Sequence, residues 1–175
     1  MLEKPSSPEA IRLWRGSIPV SHRYTAGIAG ERFFRALADR GVFLATRCGA
    51  CDVVYCPARA FCERCMAGLE DELEVGPQGT LESFTIVHRG LDGRPLTAPV
   101  AVGLVRLDGA DTFLVHRIGG DSGDLQIGIT VEPVLKDASQ RHGCLDDVEH
   151  FRPLVRPAPG PRAGRPPKKP AGPPA

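Results

Sequence analysis

Two Cys-x-x-Cys pairs, Cys48 with Cys51 and Cys62 with Cys65, stand ten residues apart in a chain of 175. No other feature constrains the fold as much. Each pair bends the chain through a tight turn, with two thiolates and nearby backbone N–H groups pointing inward. Two such turns complete a tetrahedral four-sulfur site. Zn²⁺ suits a closed set of four thiolates, which leaves the ion no open position. The flanking segments, Val42 to Leu44 and Val53 to Tyr55, are strand-like and predict a hairpin that carries the first turn. Residues 42–75 therefore read as a rubredoxin-like zinc ribbon, with Cys48, Cys51, Cys62 and Cys65 as the metal ligands.

Other uses of these cysteines fit less well. Disulfides run against a cytoplasmic chain. A redox Cys-x-x-Cys lacks its β-α-β context. Rubredoxin-type iron would use the same ligands, but the glycine expected after each turn is replaced by Asp52 and Met66. Cys56 has no companion three residues on, and reads as a small residue before Pro57. Cys144 reads as a small apolar residue buried in a strand. As a nucleophile it would need a positioned base, and His142 is only a same-face neighbour on that strand.

The rest of the chain divides around the ribbon. Residues 1–25 form an N-terminal arm with apolar anchors at Ile11, Leu13, Trp14, Ile18 and Val20 but no periodicity. Residues 26–41 predict an amphipathic helix, with Ile28, Phe33, Phe34, Leu37 and Ala38 on one stripe and Gly41 as its stop. That stripe packs either on its own domain or on a partner, because the ribbon alone is small for two phenylalanines.

Residues 76–155 are strand-rich. Strands are expected at Thr80 to His88, Val100 to Leu107, Thr112 to Ile118 and Ile129 to Lys136, with a weaker one from Gly143 to Phe151. Gly90 to Pro99 reads as a loop, and Pro133 implies an edge or a bulge. Five short strands without a long intervening helix suggest a Greek-key barrel, most commonly an OB-fold. Residues 156–175 hold eight of the 17 prolines and no acidic residue, and are expected to be a disordered, basic tail. The expected class is mainly β: one N-terminal helix, a zinc ribbon, a five-stranded OB-fold barrel and that tail.

Charge and hydropathy narrow the function. No run of 18 apolar residues exists, and the stretch from Met1 to Pro8 lacks a signal-peptide core, so the default location is the cytoplasm. The net charge is +1, but Arg162, Arg165, Lys168 and Lys169 lie in the tail. Without them 18 basic residues face 21 acidic ones, and the body is about −3. A nucleic-acid-binding ribbon and barrel would need a basic groove with aromatic platforms, and the strands offer mainly Phe84 and Phe113.

Several stretches together carry a resemblance. They are Glu31 to Leu37; Arg47, Cys48, Cys51, Tyr55, Pro57, Arg59, Cys62 and Cys65 in that spacing; Gly79 to Thr85; Leu125, Gly128 and Val131; and Phe151 to Pro153. In this order they resemble the bacterial and archaeal zinc-ribbon/OB-fold proteins associated with acyl-CoA metabolism. Ile18 to Val20 and Tyr24 to Gly27 further resemble the small subunit of benzoylsuccinyl-CoA thiolase and its relatives. Cys56 departs from the pattern, which usually has proline there.

The resemblance implies an accessory subunit beside a thiolase-fold enzyme, a thiolase or aldolase, that helps form or shield an acyl-CoA site. Acyl-CoA would then be bound jointly with the partner. The chain contains no nucleophile elbow, P-loop or dinucleotide fingerprint, so no catalytic residue is assigned. A free-standing acyl-CoA enzyme would need an unrecognised site around His116, Asp146 or Asp147. His88 and His116 read as surface or barrel residues. Arg89, Arg94 and Arg117 could meet CoA phosphates, although ordinary solvated arginines explain them as well.

Overall fold

The structure is a computed structural model, and it describes residues 24–154. The expected arm falls almost wholly outside these residues, and the expected tail wholly so. One helix, α1 (Gly27–Arg40), leads into β1 (Phe43–Cys48), β2 (Val53–Tyr55) and β3 (Asp71–Val75). β4 (Gly79–Arg89), β5 (Pro95–Leu107), β6 (Leu114–Ile118), β7 (Thr130–Leu135) and β8 (Val148–Pro153) follow. No helix among the described residues is long and apolar enough to cross a membrane.

Helix α1 buries Phe33, Ala36 and Leu37, three positions at helical spacing. It stops at Gly41, whose φ of 68° favours glycine and whose N–H donates to the Leu37 carbonyl at 3.0 Å. Any Cβ there would also meet the Arg141 guanidinium at 2.8 Å.

The ribbon is a three-stranded antiparallel sheet in the order β2-β1-β3. Thr46 pairs with Tyr55 on one side of β1, and Phe43 with Val75 on the other. The hairpin expectation holds. Strand β3 has no counterpart in the sequence reading. Its Asp71, Glu72 and Glu74 mask the alternation, yet Glu72 accepts from Arg32 at 2.8 Å and Glu74 pairs with Arg40, so the acidic residues serve α1.

The barrel closes in the order β4-β5-β6-β8-β7, with β7 returning to β4. Gly79 makes the closure: it pairs with Leu107 on one side and Val131 on the other. The backbones approach so closely that a Cβ at Gly79 would lie 2.5 Å from the Arg106 carbonyl oxygen.

Three strand boundaries differ from expectation. β5 starts at Pro95, inside the expected loop. Among the described residues its only neighbour before Ala101 is β4, so Pro95 and Pro99 need supply no second set of N–H donors there. β6 starts at Leu114 because residues 111–112 are engaged by the ribbon. The last strand begins only at Val148, after a single 3-10 turn at Leu145–Asp147. Pro133 fits its expected setting, since β7 pairs with β4 only through Thr130 and Val131 and carries a bulge at Val134/Leu135.

Ribbon, helix and barrel share one core. Phe33 lies 6.4 Å from Phe43, and Phe43 lies 6.2 Å from Phe151, centroid to centroid. Barrel residues Leu81, Val105, Leu107 and Val131 continue the same cluster. Of the two expected settings for the helix stripe, packing within the chain accounts for Phe33, because the barrel supplies Phe151 where the ribbon alone is too small. Phe34 stacks edge-on to Phe33 and stays partly buried, while Ile28 is exposed.

A second seam joins the two units. The Val54 N–H donates to Asp111 Oδ2 at 2.9 Å, and the Asp111 N–H donates to the Val54 carbonyl at 2.9 Å. The Thr112 hydroxyl accepts from the Cys56 N–H at 2.8 Å and donates to its carbonyl at 2.7 Å. The β5–β6 loop thus satisfies the free edge of β2, which would otherwise expose unpaired backbone groups.

Candidate metal centre

Cys48 ends β1, and the chain turns at once. The Asp52 N–H donates to the Cys48 carbonyl at 2.8 Å, and the Cys51 N–H points at Cys48 Sγ at 3.4 Å. The second turn repeats this arrangement. The Met66 N–H donates to the Cys62 carbonyl at 2.9 Å, and the Arg64 N–H points at Cys62 Sγ at 3.4 Å. Asp52 and Met66 take φ values of 51° and 60°. These are left-handed conformations that glycine adopts most readily. Both turns therefore form without glycine, and its absence does not discriminate between zinc and iron, contrary to the sequence argument.

The two turns bring the sulfurs of Cys48, Cys51, Cys62 and Cys65 within 4.8 Å of one another. Cys48 Sγ and Cys65 Sγ are 3.6 Å apart. That is far beyond a disulfide bond of about 2.05 Å. It is close to the edge, about 3.8 Å, of a tetrahedron built on metal–sulfur bonds of about 2.3 Å. None of the six cysteines is joined in a disulfide. Cys48 and Cys62 are buried, Cys51 is partly covered and Cys65 is exposed, so the cluster has one dry end and one wet end.

Their acidities diverge. A hydrogen bond from the Tyr55 hydroxyl, joined by backbone N–H groups, draws the Cys62 thiol down to about 6. Shared hydrogen bonding with Cys65, then burial and the other two sulfurs, pushes Cys51 up to about 12. Four thiols in this space cannot all ionise unaided, and a divalent cation would balance them. The donor set thus fits a closed four-thiolate metal site.

The remaining candidates lie elsewhere. Cys56 is buried outside the cluster, ahead of a cis Pro57, and burial pushes its thiol up to about 12. This matches its reading as a small packed residue. Cys144 is neither in a strand nor fully buried: it precedes the Leu145–Asp147 turn, with its sulfur 3.6 Å from Asp147 Oδ1.

Asp147 is fully buried and accepts N–H groups from His142 at 3.0 Å, Gly143 at 2.7 Å and Cys144 at 3.2 Å. Burial pushes its carboxyl up, but these hydrogen bonds outweigh it and hold the group below its usual range. Its oxygens are committed to shaping the loop. His116 Nε2 lies 3.2 Å from the Leu145 carbonyl, and its ring sits edge-on to Phe151 at 5.8 Å. Asp146 is exposed. These residues do not assemble into an acid–base constellation.

Arg89 donates to the Gly93 carbonyl at 3.1 Å, and Arg94 pairs with Asp92 at 3.6 Å. Sequence reasoning missed the contact of Tyr55 with Cys62, because seven residues separate a strand tyrosine from the second turn and no spacing rule joins them.

Known proteins share this design. Residues 35–71 match the family model described as the ChsH2 rubredoxin-like zinc ribbon domain, and residues 72–136 match that of the ChsH2 C-terminal OB-fold domain. A crystal structure from Sulfolobus solfataricus, a DUF35-family protein of unknown function, matches 73% of this chain and 84% of its own at 23% identity and a TM-score of 0.55. It supports the fold. The solved Ltp2-ChsH2(DUF35) aldolase matches 75% of this chain and 98% of its own chain, at 25% identity and a TM-score of 0.55. With the two abutting domain models covering more than half of its length in the expected order, the chain belongs to the ChsH2 family of zinc-ribbon and OB-fold proteins.

Proposed function

We propose that this chain is a non-catalytic accessory subunit of a cytoplasmic thiolase-fold enzyme, a thiolase or aldolase, acting on acyl-CoA. The observation that carries this reading is the match along 98% of a chain of the Ltp2-ChsH2(DUF35) aldolase, a two-component enzyme by its name. In this role the partner supplies the nucleophile or base, and this chain positions and shields the thioester. Such orientation can change rates by orders of magnitude without adding a reacting group.

Exposed apolar side chains give the chain surface to offer a partner. Tyr24 and Ile28 stand out at the start of α1, Phe61 and Met66 on the second cysteine turn, and Leu91 at the tip of the β4–β5 hairpin. Cys48, Cys51, Cys62 and Cys65 would hold one Zn²⁺, which supplies cross-linking rather than hydrolysis because four thiolates leave it no open position. Co-expression with a thiolase-fold enzyme of the same cell, followed by size-exclusion chromatography, tests the pairing. A complex of fixed stoichiometry is expected. A chain that always elutes alone contradicts it.

A further inference from the structure

We infer that Tyr55 is a positioning residue of the metal centre, its hydroxyl donating a hydrogen bond to the metal-bound sulfur of Cys62. The inference rests on the four-thiolate reading above and goes beyond the ligand set. Tyr55 is fully buried, and its Oη lies 3.3 Å from Cys62 Sγ, itself fully buried. The hydroxyl also faces the Glu63 backbone N–H, which can only donate to it, so its own proton is left for the sulfur. A thiolate on a metal has no proton to give, so in the loaded site the tyrosine must be the donor.

The ring is held for this contact. Tyr55 pairs with Thr46 across the β1–β2 ladder. The Thr46 hydroxyl accepts from the Arg59 N–H at 2.9 Å and donates to the Arg59 carbonyl at 3.1 Å. This brings the Arg59 guanidinium over the Tyr55 ring, 5.0 Å from its centroid. The far end of the side chain can then point only at the cluster.

The need is electrostatic. Four thiolates on a divalent ion leave a net charge of about −2, and Cys48 and Cys62 carry their share where water does not reach. Cys62 accepts from both the Tyr55 hydroxyl and the Arg64 N–H, which spreads that charge at the dry end. Outer hydrogen bonds of this kind change metal affinity by about 10- to 100-fold.

The test uses the full chain loaded with Co²⁺, whose sulfur-to-metal charge-transfer band reports on the thiolates. Tyr55→Phe keeps the ring and removes only the hydroxyl. It should move the band to lower energy, because a sulfur that loses a donor gives up electrons more easily. It should also speed metal release to a chelator by about 10-fold. Phe43→Leu loosens the shared core, away from Tyr55, Arg59 and the sulfurs, and should leave the band in place. An unmoved band in Tyr55→Phe overturns the inference whatever the release rate, since faster release alone would reflect a looser fold. A wild-type chain that gives no four-thiolate spectrum overturns the metal reading itself, and this inference with it.

Discussion

The ring of Phe43, in the ribbon sheet, lies against that of Phe151, in the barrel, with centroids 6.2 Å apart and planes inclined by 29°. Both residues are essentially inaccessible to solvent. Through this pair the ribbon and the barrel share one core, while the residues around the sulfurs form a smaller cluster of their own.

Phe43→Ala should therefore destabilise the whole molecule, by about 3–5 kcal/mol for a large-to-small change at a fully buried ring. Urea unfolding followed by barrel and ribbon probes should give coincident transitions in the wild type. Two separated transitions would show that the halves fold independently.

The Thr112 hydroxyl both accepts from and donates to the backbone of Cys56. Thr112→Val keeps the shape and strands two backbone groups, at a cost of about 1–3 kcal/mol. Thr112→Ser, which retains the hydroxyl, should recover most of that loss. A loss in Thr112→Ser with none in Thr112→Val would assign the effect to the methyl group instead.

Asp147 gives a pH signature. Its folded carboxyl is held below its usual range, so the stabilisation it brings is complete above its unfolded pKa of about 3.9. That stabilisation is lost as pH falls through the lower folded value. The unfolding free energy of wild type minus that of Asp147→Asn should be positive at pH 7 and shrink as acid protonates the wild type. Taking the difference cancels metal loss, which is common to both chains. A gap that stays constant to the lowest pH would contradict the assignment.

Metal content separates the cysteines. Wild type and Cys56→Ser should each carry one Zn²⁺ per chain, and Cys62→Ser should lose it. Because metal binding supplies folding free energy, about 10–16 kcal/mol in small zinc domains, a chelator should also lower the stability of the whole chain. Iron in place of zinc, or loss of metal in Cys56→Ser, would show that the metal or the ligand set is misassigned.

The cysteine spacing made the four-sulfur cluster legible, since the turns between Cys48 and Cys51 and between Cys62 and Cys65 are local and their geometry follows from the chain itself. The five barrel strands were legible for the same reason: their runs of β-branched and apolar residues are continuous. What could not be read depends on contacts distant in sequence. Strand β3 hides behind Glu72 and Glu74, which make sense only once Arg32 and Arg40 face them. The early start of β5 depends on Pro99 lying where no third strand needs its N–H. Cys144 was placed in a strand because nothing nearby reveals that Asp147 gathers the preceding N–H groups into a turn. Tyr55 looked like an ordinary strand residue until the second turn folded over its hydroxyl.

Acyl-CoA turnover tests the central claim most directly, measured for this chain alone, for the proposed thiolase-fold partner alone and for the two together. The account predicts no carbon–carbon bond making or breaking by this chain alone and full activity only in the complex, reduced modestly by His116→Ala, Cys144→Ser or Asp146→Ala. Turnover by the isolated chain would contradict it. So would abolition of activity by one of these substitutions while zinc content and complex formation persist.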